Sequence, residues 1–149
     1  MTPGPALDLP EGGLLASVVR LNLLVTDVLE GIAGREGIAF ADYLVLGVVR
    51  RSPSGRSSPS AIAETLSRTT GGMSLTLDRL ESAGLLVRTP DPSDGRRVVV
   101  ELTARGADLA RSVNDELHRW EERVAPPTGT DAAVDLLDEL TTAVQAQPA

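Results

Sequence analysis

The 149-residue sequence contains no cysteine and no lysine, a single histidine and only three aromatic residues, Phe40, Tyr43 and Trp120. Without cysteine there can be no disulfide, no thiolate metal site and no thiol chemistry. His118 stands alone, so no metal or other cofactor is expected. No nucleophile is accompanied by a histidine base and no glycine-rich phosphate loop is present, so the chain is not expected to be an enzyme. No segment offers the ~18 uninterrupted apolar residues of a membrane span. The start, Met1-Thr2-Pro3-Gly4-Pro5, has neither a basic region nor an apolar run, so a cytoplasmic protein without a membrane partner is expected. With so few aromatics, the core must come from Leu, Val, Ile and Ala, which favours packed helices over a sandwich or barrel.

The net charge of −7 argues against nucleic acid only while it is treated as an average. Residues 50–105 hold nine arginines against six carboxylates, a local balance of +3. The rest of the chain holds five against fifteen, a balance of −10. An acidic frame thus surrounds a mildly basic insert, and that insert is where a polyanion would be met.

Residues 1–10 carry three prolines and read as an irregular arm. From Gly12 to about Ile32, Leu14, Val18, Leu21, Val25, Val28 and Ile32 recur at steps of four and three, a heptad-like seam on a long helix. Leu15, Val19, Leu23 and Leu24 widen its apolar surface beyond what one neighbour covers. Either a partner subunit or the centre of a monomeric bundle supplies the second side. Phe40, Tyr43, Leu44, Leu46, Gly47 and Val48 mark a shorter helix that ends near Arg50-Arg51-Ser52-Pro53, and residues 52–58 read as a Ser-rich loop.

Ser58-Pro59-Ser60 places a capping residue before a first-turn proline, which opens a short third helix. Thr69 or Thr70 can cap the next, in which Met73, Leu77 and Leu80 form one inward stripe and Gly84 provides the stop. Two short helices with a tight connection form a helix-turn-helix candidate. Leu85-Leu86-Val87-Arg88, a turn from Pro90 to Gly95, and Val98-Val99-Val100-Glu101-Leu102 then read as a β-hairpin, or wing. Thr103 caps a long helix through Leu109, Val113, Leu117, Trp120 and Val124, which Pro126-Pro127 stops. A last amphipathic helix runs from about Asp131 to Val144 through Val134, Leu137 and Leu140, before a frayed Pro148-Ala149 end.

At this point the sequence resembles the MarR family of winged-helix regulators. The resemblance is carried by Ala61-Ile62-Ala63-Glu64, Thr69-Thr70-Gly71-Gly72-Met73, Leu77-Asp78-Arg79-Leu80-Glu81 with Gly84, Asp91-Pro92-Ser93-Asp94-Gly95-Arg96-Arg97, and Leu102-Thr103 with Gly106, in that order and spacing. It implies a mainly α fold with a small β-wing, a winged helix-turn-helix flanked by long N- and C-terminal dimerisation helices. The implied division is an arm over 1–10, a dimerisation region over 11–35 and 103–149, and a DNA-binding region over 36–102, with the recognition helix at about 70–83 and the wing at about 86–102.

The implied partners are double-stranded DNA, a second copy of the chain, and a small, often aromatic effector. The implied function is that of a sequence-specific, dimeric repressor released by such an effector. Dimer contacts are expected from Leu14, Val18, Leu21, Val25, Leu117, Trp120, Val134, Leu137 and Leu140. On the recognition helix, Thr69, Thr70 and Gly72 would meet phosphates at the positive helix end, while Ser74, Leu75 and Thr76 would face base edges.

Relatives commonly carry Asn, Arg or Lys at the positions of Leu75 and Thr76. A leucine can touch a thymine methyl and a threonine can bond several bases, but neither grips guanine with two bonds. Arg68 and Arg79 are the candidate compensating cations, with Asp78 and Glu81 as the alternative partners of Arg79. At the wing tip, Asp94 would hold the guanidinium of Arg96 for the narrow, electronegative minor groove, with Arg97 beside a phosphate. Trp120, Phe40 and Tyr43 serve either an effector cleft or core packing. The acidic frame leaves a second reading open, a winged-helix protein-interaction module or regulator antagonist with weak or no specific DNA binding.

Overall fold

The computed structural model describes residues 8–10 and 13–147, so most of the expected arm, the helix start expected at Gly12 and the frayed Pro148-Ala149 end lie outside the described residues. The chain divides into two compact units, one running to Asn114 and one from Asp115 onward. The first unit contains α1 (Leu14–Arg35), α2 (Phe40–Arg51), a 3-10 turn (Pro53–Gly55), β1 (Arg56–Ser57), α3 (Pro59–Thr65), α4 (Thr70–Ser82), β2 (Leu86–Pro90), β3 (Val98–Leu102) and the first half of α5 (Ala104–Val124). The second contains the rest of α5 and α6 (Thr130–Gln145). No helix among the described residues is long and apolar enough to cross a membrane.

The expected caps set the helix starts. Ser58 Oγ accepts from the Ala61 N–H at 3.2 Å, Thr69 Oγ1 from Gly72 at 3.2 Å, and Thr103 Oγ1 from Gly106 at 3.0 Å. Each such cap stabilises its helix by about 1 kcal/mol. The turn between α3 and α4 closes without glycine. Ser67 takes a left-handed φ of 52°, and the Arg68 N–H reaches back to the Ala63 carbonyl at 2.8 Å. Gly84, at φ 74°, ends α4, with the N–H of Leu85 bonded to Leu80 and that of Gly84 to Glu81.

The core of the first unit is aliphatic. Val45, Leu46 and Val49 of α2, Ile62 of α3, Met73, Leu77 and Leu80 of α4, Leu86 and Val100 of the hairpin and Val113 of α5 are all buried. Along α1 burial increases towards the C-terminus: Ile32 and Ala33 are buried, Val25 and Val28 half-buried, and Leu14, Leu15, Val18, Leu21, Leu23 and Leu24 exposed. In the second unit α6 buries no residue, and Val134, Leu136, Leu137 and Val144 are exposed.

The Ser-rich loop expected over 52–58 requires correction. Pro53–Gly55 forms a 3-10 turn and Arg56–Ser57 pairs antiparallel with β3, which makes a three-stranded sheet of order β1-β3-β2. Two residues are too few for a period-2 signature, and their partner lies 43 to 45 positions away (Arg56 opposite Glu101, Ser57 opposite Val100). An Arg56 Nε–Glu101 Oε1 pair at 2.7 Å tethers that edge.

Gly106, buried in the first turn of α5, lies against the Leu85 backbone, and a Cβ there would overlap the Leu85 carbonyl oxygen. Backbone on both sides leaves nothing soft to move. Gly106→Ala should therefore destabilise the fold by about 3 kcal/mol or more in urea unfolding. Gly31→Ala, mid-helix in α1 where a Cβ meets nothing within 4 Å, should instead stabilise by about 0.5–1 kcal/mol.

Candidate nucleic-acid interface

α4, the expected recognition helix, begins at the Thr69 cap, so Thr69, Thr70 and Gly72 all lie exposed at its positive end. Ser74 is exposed and Leu75 is 70% exposed, as expected for outward positions. Thr76 is not among them, contrary to expectation. It is 7% exposed, and its hydroxyl donates to the Gly72 carbonyl at 3.2 Å. It sits three residues after Met73 and four before Leu80, which puts it on the buried stripe.

The two cations expected to compensate are both engaged by α2. Arg68 Nη2 donates to the Ala41 carbonyl at 3.1 Å, which ties the helix-turn-helix elbow to α2. Arg79 pairs with neither Asp78 nor Glu81. Its Nε and Nη2 donate to Asp42 at 3.1 and 2.6 Å, and Asp42 is a nearly buried carboxylate with a side chain 11% exposed. The Asp42 hydrogen bond, aided by its charge, raises the Arg79 pKa further. Asp78 and Glu81 instead hold Arg88 of β2. Its Nη2 reaches Asp78 Oδ1 at 2.5 Å and Glu81 Oε1 at 3.3 Å, and its backbone N–H donates to Glu81 Oε2 at 2.7 Å. These bonds to Arg88 hold the Glu81 carboxyl below its ordinary value.

The wing tip is built by turn bonds. The Asp91 N–H donates to the Arg97 carbonyl at 2.9 Å and the Arg97 N–H to the Asp94 carbonyl at 3.0 Å. Asp91 Oδ1 accepts from both the N–H and the hydroxyl of Ser93, which lowers the Asp91 pKa. Asp94 does not hold the guanidinium of Arg96 as expected. It accepts from the Arg96 backbone N–H at 3.1 Å and faces Arg97 Nε at 3.6 Å. In this turn the residue three positions on comes back beside Asp94, so the guanidinium that faces it is that of Arg97. The Arg96 guanidinium is exposed and makes no bond within the described residues.

Between wing and helix-turn-helix lies an open cleft of about 910 Å³, lined by residues 52–53 and 56–61, Thr70, Asp91 and residues 96–99. Arg56, Arg96 and Arg97 give it positive charge, and Ser57, Ser58, Ser60 and Thr70 give it hydroxyls. From sequence, Arg56 and these serines are legible only as loop and cap. What brings them to the cleft is the pairing of β1 with β3, which no local pattern announces.

The residues expected at a dimer interface are distributed over both units. Leu14, Val18, Leu21, Val134 and Leu137 are exposed, while Val25, Leu117, Trp120 and Leu140 are half-buried. Tyr43 is buried beside Phe40, with ring centroids 5.6 Å apart, and its hydroxyl lies 3.4 Å from Asn114 Oδ1, which is a packing role. Burial raises the Tyr43 pKa.

Comparison with known proteins agrees with this geometry. A MarR family model matches residues 36–97. The HTH-type transcriptional repressor Rv2887 of Mycobacterium tuberculosis is 31% identical over 121 residues, which is 81% of this chain and 84% of that protein. The HTH-type transcriptional regulator PecS of Dickeya dadantii is 29% identical over 124 residues, 83% of this chain and 75% of that one. Among solved structures, the transcriptional repressor CouR bound to a 23-mer DNA duplex superposes with a TM-score of 0.75 at 30% identity, covering 93% of this chain and 99% of that one.

Two measurements test the bonds that hold α4. Asp42→Ala leaves Arg79 without its carboxylate and should cost about 1–2 kcal/mol in urea unfolding. Glu81 has a folded pKa below its ordinary 4.5, so its contribution is full above that value and is lost as pH falls through the depressed one. Glu81→Gln should therefore flatten the acid limb of a stability–pH curve below about pH 4.5 and lower stability near neutrality.

Proposed function

The chain belongs to the MarR family of DNA-binding transcriptional regulators, and from that premise we propose that it is a homodimeric repressor whose two recognition helices enter successive major grooves while Arg96 of each wing enters the flanking minor groove. The single observation that carries this is the Arg96 guanidinium, exposed and unbonded within the described residues, at the rim of a cleft that α4 begins and the wing closes. In that reading, backbone phosphates occupy the cleft against Arg56, Arg97 and the hydroxyls, while the dipole of α4 adds attraction through Thr70.

Dimerisation through α1, the end of α5 and α6 is supported by their uncovered leucines and valines, since several exposed large apolar side chains on one helix mark an interaction surface. The dimer would set two reading helices about one DNA turn, roughly 34 Å, apart. A small effector that holds them at another spacing would release the operator, which completes the repressor reading.

Gel shifts with DNA from upstream of the gene, run across a salt series, test this. The wild type should bind one fragment preferentially, with a steep salt slope. Arg96→Ala should weaken binding about fivefold or more, a loss of about 1–3 kcal/mol, and lower the slope by about two, one for each subunit. Binding without preference among fragments would replace the repressor by the protein-interaction module. Unchanged affinity in the variant would remove Arg96 from the interface.

A further inference from the structure

The outward face of α4 can be defined by elimination. Met73, Thr76, Leu77 and Leu80 turn inward. Asp78 is bonded to Arg88, and Arg79 is held by two bonds to Asp42. Gly71 and Gly72 carry no side chain, and a Cβ on Gly71 would meet nothing within 4 Å. Glu81 is likewise bonded to Arg88, and Thr70 and Ser82 stand at the two ends of the helix, so Ser74 and Leu75 are the side chains left free along its middle; Leu75 is the one large apolar side chain of α4 that is exposed. No unengaged cation or amide stands on this face to grip guanine or adenine with two bonds.

One exposed leucine is ordinary on a protein surface. Here it stands on a face whose preceding turn is glycine, which lets the helix backbone come close to whatever it meets. On the major-groove edge of DNA the only apolar group is the 5-methyl of thymine. Cytosine acquires the same group at the same place when it is methylated at carbon 5.

Resting on the reading of α4 as the helix in the groove, we propose that this chain selects DNA by 5-methylpyrimidine contact. Leu75 packs on one such methyl in each half-site and is the residue that determines specificity, and Ser74 supplies a sequence-tolerant hydrogen bond beside it. Discrimination therefore comes from apolar complementarity and not from paired hydrogen bonds to guanine.

The test begins by selecting the preferred duplex from a randomised library with the full-length protein, then resynthesising it with deoxyuridine for each thymine in turn, which removes a methyl and nothing else. Burying one methyl is worth about fourfold in affinity. Wild type should thus weaken about fourfold at one thymine per half-site, and about fifteenfold when both are replaced. Leu75→Ala should bind the thymine duplex more weakly, show no further loss with deoxyuridine, and keep the wild-type unfolding midpoint because the side chain is exposed. Exchanging that T·A pair for C·G should weaken wild type, and 5-methylation of the cytosine should restore part of the loss.

A selected site at which deoxyuridine costs nothing, or costs Leu75→Ala as much as wild type, overturns methyl reading and leaves DNA recognition standing. A library from which no sequence is enriched overturns the recognition reading itself.

Discussion

Where α4 ends, three carbonyls in succession are taken up by the start of α5. Arg105 Nη1 donates to the Ala83 carbonyl at 2.9 Å, Thr103 Oγ1 to that of Gly84 at 2.7 Å, and the Thr103 N–H to that of Leu85 at 3.1 Å. Helix ends leave such carbonyls without partners, and a cation there also answers the negative end of the helix. The hydroxyl of Thr103 is used twice, because it also accepts from the Gly106 N–H and so starts α5. The recognition helix, the first strand of the wing and the following helix therefore meet in one joint of about two turns of chain. The direction of α4 depends on that joint, and Gly106 is the residue that gives it room.

The rest of α4 is held by charge, because its apolar stripe is narrow. Met73, Leu77 and Leu80 fix which side faces inward, but a stripe of this kind tolerates rotation about the helix axis. Two bidentate or branched ion pairs oppose that rotation from opposite sides: Asp42 to Arg79 from α2, and Arg88 to Asp78 and Glu81 from β2. Exposed pairs contribute little to stability on their own. Their geometric effect is larger, since the planar guanidinium fork accepts few orientations. In the proposed reading α4 presents two side chains to a groove, and for that a fixed rotation matters more than extra stability.

What could be read from the sequence was what local chemistry decides. Ser58, Thr69 and Thr103 act as caps within three residues of the groups they bond, and the hairpin follows from the turn chemistry of residues 90–95 flanked by runs of valine and leucine. Thr76 was legible in principle, since its spacing from Met73 and Leu80 puts it inside. A polar residue next to an outward leucine drew the opposite reading. The partner of Arg79 was not legible, because Asp42 lies 37 residues away and nothing in either neighbourhood marks the pairing. The same holds for β1, whose two residues acquire strand geometry only from the edge of β3. At the wing tip the pairing is not legible from sequence, since the turn, not the order of residues, decides which arginine returns to Asp94.

Among the described residues the side chains of Ser74 and Leu75 make no hydrogen bond or ion pair, and the bonds that orient α4 fall on other residues. On this thirteen-residue helix the two outward side chains proposed to read bases are therefore not the ones that hold it in place. Inheritance of such an arrangement is permissive. Duplicated copies of this gene can diverge at positions 74 and 75 without passing through unfolded ancestors, and regulators with new target sites can arise by substitutions that leave solubility, lifetime and pairing of the protein untouched.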